Sequence, residues 1–187
     1  MNILIGVSGS IAAYKACSLV SCLTKTHNVR VIMTESAKRF VGPLTFETLT
    51  NYSLIDDTRG LKDEMIAAST DSRQQIVPHI YYPQRWADRF VIAPATANII
   101  GKAANGIADD FLSSCILASN KPILFVPTMN TFMYDHPATQ RNLATLKVDG
   151  HHILEPDVGH LACGVTGKGK MPNTITIAET IQRLLNN

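Results

Sequence analysis

Short, nearly continuous apolar runs alternate along the chain with longer stretches whose apolar residues recur every three or four positions. The runs are Asn2 to Val7 (NILIGV), Val29 to Met33 (VRVIM), Arg89 to Ala93 (RFVIA) and Ile123 to Val126 (ILFV), with a weaker one at His152 to Leu154. They are short and β-branched and show no in–out alternation, which predicts strands covered on both faces. Between them, Ala13, Ala16, Cys17, Val20 and Leu23 fall on one face of a helix. Asp109 to Ser119 predicts another helix with Asp109 or Asp110 as its N-cap. His136 to Lys147 predicts a further one, with Pro137 in its first turn, and Thr174 to Leu185 closes the chain. Alternating strands and helices predict a single α/β domain over residues 1–187: an open, mostly parallel sheet with helices on both faces.

Two stretches depart from this rhythm. Gly60 to Pro78 is polar and weakly periodic, and reads as a helix plus a long loop. Gly159 to Pro172 (GHLACGVTGKGKMP) holds four glycines and no periodicity, so it reads as a long loop of the functional or mobile kind.

Composition narrows the function classes. With 187 residues, 45% hydrophobic and 17% charged, the chain can bury one core and is not of the disordered type. Lys+Arg exceed Asp+Glu only by 17 to 15, too little for a nucleic-acid surface. No apolar stretch is long enough to span a bilayer, and the opening MNILIGVSGS has neither a basic leader nor a small-residue cleavage site. The four cysteines, Cys17, Cys22, Cys115 and Cys163, lie far apart, unlike a disulfide scaffold or a paired-cysteine zinc site. His151, His152, His160 and Cys163 match no zinc spacing, and adjacent histidines at a strand start face opposite ways. The expectation is a reduced, cytoplasmic protein with no metal, nucleic-acid or membrane partner.

In open parallel sheets, ligands bind beyond the carboxyl ends of the strands. The first such turn, Gly6-Val7-Ser8-Gly9-Ser10, runs straight into a helix whose free N–H groups suit a phosphate. A plain tight turn with Ser10 as N-cap needs the same residues. A third glycine is missing, and no acidic residue ends the second strand, which instead reads Met33-Thr34-Glu35-Ser36. The Thr34 and Ser36 hydroxyls suit a phosphate better than a ribose diol, so a mononucleotide fits better than NAD. The third and fourth strands both end in a proline to stop the ladder, small residues and an asparagine: Pro94-Ala95-Thr96-Ala97-Asn98 and Pro127-Thr128-Met129-Asn130. Asparagine can serve a flavin edge or a carboxylate, or cap the next helix. Capping suffices for Asn98, whereas the apolar Phe132-Met133-Tyr134 after Asn130 points to a site.

His79, upstream of the third strand and near Trp86, carries no catalytic signal from its spacing alone. Cys163 is the unusual cysteine, because a thiol in a glycine-rich loop can enter a closed site as acid or nucleophile. Lys168 and Lys170 nearby could lower its pKa or grip an anionic substrate. The other cysteines lie in helical patterns and read as small core residues.

Several of these segments, in order, resemble one family over nearly the whole chain. They are Gly9-Ser10-Ile11-Ala12-Ala13-Tyr14-Lys15, His79-Ile80, Trp86-Ala87-Asp88, Pro94-Ala95-Thr96-Ala97-Asn98, Pro127-Thr128-Met129-Asn130, and Leu161-Ala162-Cys163-Gly164 with Gly167, Gly169 and Met171. The family is the homo-oligomeric flavin-containing cysteine decarboxylases. The resemblance implies a Rossmann/flavodoxin-like fold and an FMN cofactor held by Gly9, Ser10, Ile11, Thr34 and Ser36, with Thr96, Ala97, Asn98 and Thr128 towards the ring. Val165, Ile99 and the Tyr81-Tyr82 pair are this chain's departures from the family pattern.

One branch of the family decarboxylates phosphopantothenoylcysteine in coenzyme A biosynthesis, and another decarboxylates the terminal cysteine of lantibiotic precursor peptides. The Ala162-Cys163-Gly164 segment resembles the coenzyme A branch, whose enzymes must also reduce the enethiol that the peptide enzymes release. The resemblance implies His79 as the base assisting oxidation, Asn130 as the holder of the substrate carboxylate and amide, and Cys163 as the proton donor. Met129, His160 and Ala162 would make further substrate contacts. It also implies a phosphorylated small-molecule substrate and a homotrimer or dodecamer with flavin between subunits. The end at Asn187 implies a stand-alone decarboxylase. Relatives that act as flavin-holding regulatory subunits carry acidic tails, which this chain lacks, and flavin prenyltransferases lack the Pro-x-Met-Asn and Ala-Cys-Gly segments.

Overall fold

The computed structural model describes residues 1–57 and 77–186. The helix and loop expected from Gly60 lie, up to residue 76, outside the described residues. In chain order the elements are β1 (Asn2–Val7), α1 (Ala13–Leu23), β2 (Asn28–Met33), α2 (Glu35–Lys38) and α3 (Pro43–Thr50). After the undescribed stretch come α4 (Pro78–Tyr81), a π-helical turn (Tyr82–Trp86), β3 (Arg89–Ala95), α5 (Ala97–Ala104), α6 (Phe111–Ala118) and β4 (Ile123–Pro127). The chain continues through α7 (Thr131–Asp135), α8 (Pro137–Val148), β5 (His152–Ile153), β6 (Asp157–His160), β7 (Thr166–Lys170) and α9 (Thr174–Leu185).

All five apolar runs are strands of one sheet, in the order β2-β1-β3-β4-β5, and every neighbouring pair is parallel. Successive side chains of a strand point to opposite faces, so each run feeds two cores. Ile3, Ile5, Val7, Val31, Val91 and Val126 meet Leu19 and Val20 of α1, Phe46 of α3 and Ile177 and Ile181 of α9. Leu4, Ile32, Phe90, Ile92 and Phe125 meet Ile99 and Ile100 of α5, Leu112 of α6 and Leu143 and Leu146 of α8. Each buried Leu, Ile or Phe of this kind contributes about 1.5–3 kcal/mol, which explains why the strands tolerate no polar alternation.

Helix starts follow local chemistry. Asp110 caps α6 in a capping box with Ser113, and His136 precedes Pro137 at the start of α8. Asn98 is not a cap: Thr96 accepts from the Ile99 N–H, and Asn98 sits exposed inside α5. Ser10 is not the N-cap of α1 either. That position is Ala12, whose N–H is taken by the Ser10 hydroxyl at 3.2 Å. Pro94 does not end β3, which runs on to Ala95 while its register with β4 shifts between Ile92 and Ala95. The Ala93–Pro94 peptide is cis.

The segment read as an unstructured loop is an antiparallel hairpin of β6 and β7. Its glycines hid it from pattern reading because they serve docking, not strand formation. A Cβ on Gly169 (φ +143) would overlap the Met129 carbonyl oxygen, and one on Gly167 would lie 2.7 Å from the Thr131 Oγ1. Only bare backbone can lie this close to the loop after β4.

Candidate active site

The carboxyl ends of the strands are stitched into one seam. The Thr34 N–H, after β2, donates to the Val7 carbonyl at 3.1 Å. Ser8, buried at the end of β1, donates its hydroxyl to the Pro94 carbonyl at 2.8 Å and accepts from the Thr96 N–H at 3.0 Å. The Thr128 N–H donates to the Ala95 carbonyl at 3.0 Å, and the Met129 N–H to the Gly169 carbonyl at 3.1 Å. The seam crosses the point where strand order reverses between β1 and β3, the place where such sheets bind ligands.

The hairpin tip closes over a cavity of about 550 Å³. Leu161 to Gly164 form a turn, with the Gly164 N–H donating to the Leu161 carbonyl at 2.9 Å and Gly164 at φ +84. The turn leaves Cys163 exposed in the cavity wall, where Asn130 Nδ2 donates to its sulfur at 2.9 Å. The other end of that carboxamide is fixed, because Asn130 Oδ1 accepts from the Phe132 N–H at 2.8 Å as the cap of α7. Asn130 is therefore both helix cap and thiol partner. The Val165 backbone N–H, and after it the Asn130 amide, hold the Cys163 thiol below its usual pKa.

A charged knot behind the hairpin holds it in place. Glu155 pairs with Lys168 of β7 at 2.9 Å and Lys147 of α8 at 3.1 Å, and accepts from the Tyr134 hydroxyl. Partial burial raises the Glu155 pKa, but the Tyr134 hydroxyl, Lys168 and Lys147 overcome it and bring the carboxyl down to about 2. Burial and then the hydrogen bond to Glu155 push Tyr134 up to about 12. Lys168 also lies 5.1 Å from the Tyr134 ring centre, so it serves the knot and is no acidifier of Cys163.

The Flavoprotein family profile matches residues 1–186. The chain belongs to the Flavoprotein family. The coenzyme A biosynthesis bifunctional protein CoaBC of Bacillus subtilis is 46% identical over 182 residues, 95% of this flavoprotein and 42% of that protein. This flavoprotein thus spans about two-fifths of the length of such bifunctional relatives. A protein of Streptococcus mutans named "Probable phosphopantothenoylcysteine decarboxylase" is 39% identical over 187 residues, 98% of each chain. A cysteine-to-serine mutant of PPC decarboxylase, complexed with pantothenoylaminoethenethiol, superposes with a TM-score of 0.87 at 34% identity, covering 100% of this chain and 98% of that one. The FMN-dependent cysteine decarboxylase SpaF superposes at 0.78 with 30% identity, over 100% and 98% of the two chains.

The flavoprotein's donor set fits a phosphorylated flavin. A Cβ on Gly9 would lie 2.5 Å from the Ser36 Cβ, so the turns after β1 and β2 are pressed together with their hydroxyls in one neighbourhood. The Ser10 and Ser36 hydroxyls near the starts of α1 and α2 suit a phosphate. Thr96, Ala97 and Thr128 lie at the ends of β3 and β4 for a ring.

Of the expected site residues, Ser10, Ile11, Thr128, Met129, Asn130, His160, Ala162 and Cys163 line one cavity. Outside that lining, Thr34 and Thr96 belong to the adjoining seam, Gly9 and Ser36 meet between the turns after β1 and β2, and Ala97 and the exposed Asn98 open α5. His79, on α4, is not in the cavity wall of its own chain. Sequence reading gave Ser8 no role and did not single out Lys15 or Tyr14. Their signal was the step of three to four from Ile11, which brings Ile11, Tyr14 and Lys15 to the cavity together. His151 accepts from the Ile123 N–H at 3.2 Å and packs on Phe125, a structural role. Among the described residues, no group of three or more His, Cys, Asp or Glu is placed to hold a metal, and no helix is long and apolar enough to cross a membrane.

Proposed function

We propose that this flavoprotein is an FMN-dependent decarboxylase that converts phosphopantothenoylcysteine to phosphopantetheine in coenzyme A biosynthesis, acting in the cytoplasm as a single domain. The observation that carries this reading is the Cys163 thiol, presented over the cavity by a glycine turn and held 2.9 Å from Asn130. An enzyme that stopped at an enethiol would have no use for a proton donor at that point. The relatives named for coenzyme A biosynthesis and phosphopantothenoylcysteine decarboxylation support the same assignment.

When bound, FMN supplies the two-electron oxidation that makes the cysteinyl group able to lose carbon dioxide, and later returns those electrons. Gly9, Ser10, Ile11, Thr34 and Ser36 hold its phosphate end, and Thr96, Ala97, Asn98 and Thr128 its ring. Asn130 orients the substrate carboxylate and amide through the carboxamide that its Oδ1 bond to Phe132 keeps fixed. Met129, His160 and Ala162 enclose the substrate. Cys163 Sγ then gives its proton to the enethiol. The Val165 N–H and the Asn130 amide, which hold this thiol below its usual pKa, stabilise the thiolate left when the proton departs. Solvent reprotonates it, since the sulfur is exposed.

His79 acts as base from a second copy of the chain, in a homotrimer or a dodecamer of trimers. Ile11 and Tyr14 in the cavity wall, and Phe132 and Met133 on α7 just after Asn130, are each at least half exposed and offer that copy an apolar surface. The reading is tested by offering the FMN-loaded protein phosphopantothenoylcysteine and, separately, a cysteine-ended peptide. Carbon dioxide from the first substrate alone is expected. A colourless protein that takes up no FMN, or release from the peptide alone, overturns it.

A further inference from the structure

The cavity holds two ammonium groups that the decarboxylation chemistry does not use. Lys15, in the first turn of α1, and Lys170, the last residue of β7, both line it. Lys15 Nζ lies 3.4 Å from the Met171 carbonyl, one residue beyond Lys170. The Lys170 stem crosses Gly159 on the paired strand, where a Cβ would lie 3.0 Å from its Cδ and 3.5 Å from its Nζ. The missing side chain at Gly159 makes room for that path. Lys168, two residues earlier, is bound to Glu155, so it is Lys170 that the hairpin presents to the cavity.

No carboxylate is among the described residues that line this cavity. Burial, followed by the charge of Lys170, pulls the Lys15 pKa below the ordinary lysine range, with Asp157 opposing. Two cations on the wall of one cavity, one half-buried and one exposed, repel one another, and a doubly charged anion between them turns that repulsion into attraction. A phosphate monoester has this charge and the oxygens to bridge two ammonium groups.

We propose that Lys15 and Lys170 form a clamp for the phosphate monoester of the substrate, in the same cavity where Asn130 and Cys163 meet its cysteinyl end. The clamp rests on the decarboxylase reading and adds the basis of its selectivity. A peptide ending in cysteine brings no dianion to these lysines, so they separate the two substrate classes that share the chemistry. The cofactor's own phosphate is the competing source of the same group. Gly9 and Ser36, where the turns after β1 and β2 press together, lie outside the lining that holds the two lysines and provide for that phosphate, so the clamp is assigned to the substrate.

The FMN-loaded wild type, Lys15→Ala, Lys170→Ala and Lys170→Arg proteins are titrated calorimetrically with phosphopantetheine and with pantetheine. Turnover is compared on phosphopantothenoylcysteine and pantothenoylcysteine, and apo-protein is titrated with FMN and riboflavin. The wild type is expected to prefer the phosphorylated ligand. Each alanine variant should lose about tenfold of that preference, with pantetheine binding unchanged and Lys170→Arg close to wild type. Equal losses for both ligands, or an unchanged preference, overturn the clamp. So does a lysine-dependent loss of preference for FMN over riboflavin, which assigns the pair to the cofactor. If neither substrate releases carbon dioxide while the lysine-dependent preference for phosphopantetheine persists, the decarboxylase reading fails and the clamp stands.

Discussion

Asn130 Nδ2 donates to Cys163 Sγ at 2.9 Å across 33 positions of sequence. The loop after β4 and the hairpin tip thereby form one functional unit. Both the Val165 N–H and this amide favour the thiolate, so the Cys163 pKa lies below that of a free cysteine. Removing a donor must raise it. In Asn130→Ala the alkaline fall of enethiol reduction, which needs the protonated thiol, moves to higher pH. The pH dependence of Cys163 alkylation, followed by peptide mass spectrometry, checks the shift, and an identical titration in both proteins contradicts it.

Gly169 lets the hairpin lie on Met129, with φ +143 and no room for a Cβ beside the Met129 carbonyl. Gly169→Ala therefore detaches β7 at a cost of about 2 kcal/mol or more. Limited proteolysis within 157–170 should accelerate while the sheet core keeps its protection. Wild-type cleavage kinetics would show that the close approach is not needed.

Gly9 plays the matching part on the flavin side. A Cβ there would lie 2.5 Å from the Ser36 Cβ and 3.1 Å from the Ser36 carbonyl carbon, so backbone must move. Gly9→Ala is expected to push the two phosphate-side turns apart, costing about 1–3 kcal/mol locally. Flavin absorbance per chain after gel filtration should fall well below wild type. Full retention would separate Gly9 from flavin binding.

Glu155 gives the hairpin an acid-sensitive anchor. Its folded pKa of about 2 lies below the ordinary 4.5, so its stabilisation is complete above the ordinary value and lost as pH falls towards 2. With the side chain 46% exposed, solvent screening leaves about 1 kcal/mol from the knot. Urea unfolding of the wild type should weaken through that acid window more steeply than that of Glu155→Gln. Parallel pH profiles would remove Glu155 as the anchor.

Much of the fold was legible because burial on two faces leaves a plain mark. Ile3, Leu4, Ile5 and Val7 had to be a doubly covered strand, and the periods of α1, α8 and α9 located the helices around it. The short helices α2 to α5 left no such mark, since one or two turns show no period, and α2 is four residues long. The hairpin was hidden for another reason. Gly167 and Gly169 reflect what β7 rests on, a tertiary fact that carries no local periodicity. In the site, Asn130 could be picked from the apolar residues after it and Cys163 from its glycine surroundings. Their contact could not be read, because it depends on where the hairpin docks. Ser8 was passed over because a buried hydroxyl joining β1 to β3 looks, in sequence, like any turn serine.

The most direct measurement is the product mass after FMN-loaded wild type and Cys163→Ser proteins are each incubated with phosphopantothenoylcysteine. The wild type is expected to yield phosphopantetheine, two hydrogens heavier than the enethiol, and Cys163→Ser to release carbon dioxide and stop at the enethiol. Phosphopantetheine formed at the wild-type rate by Cys163→Ser, or no carbon dioxide from the flavin-loaded wild type, would contradict the account.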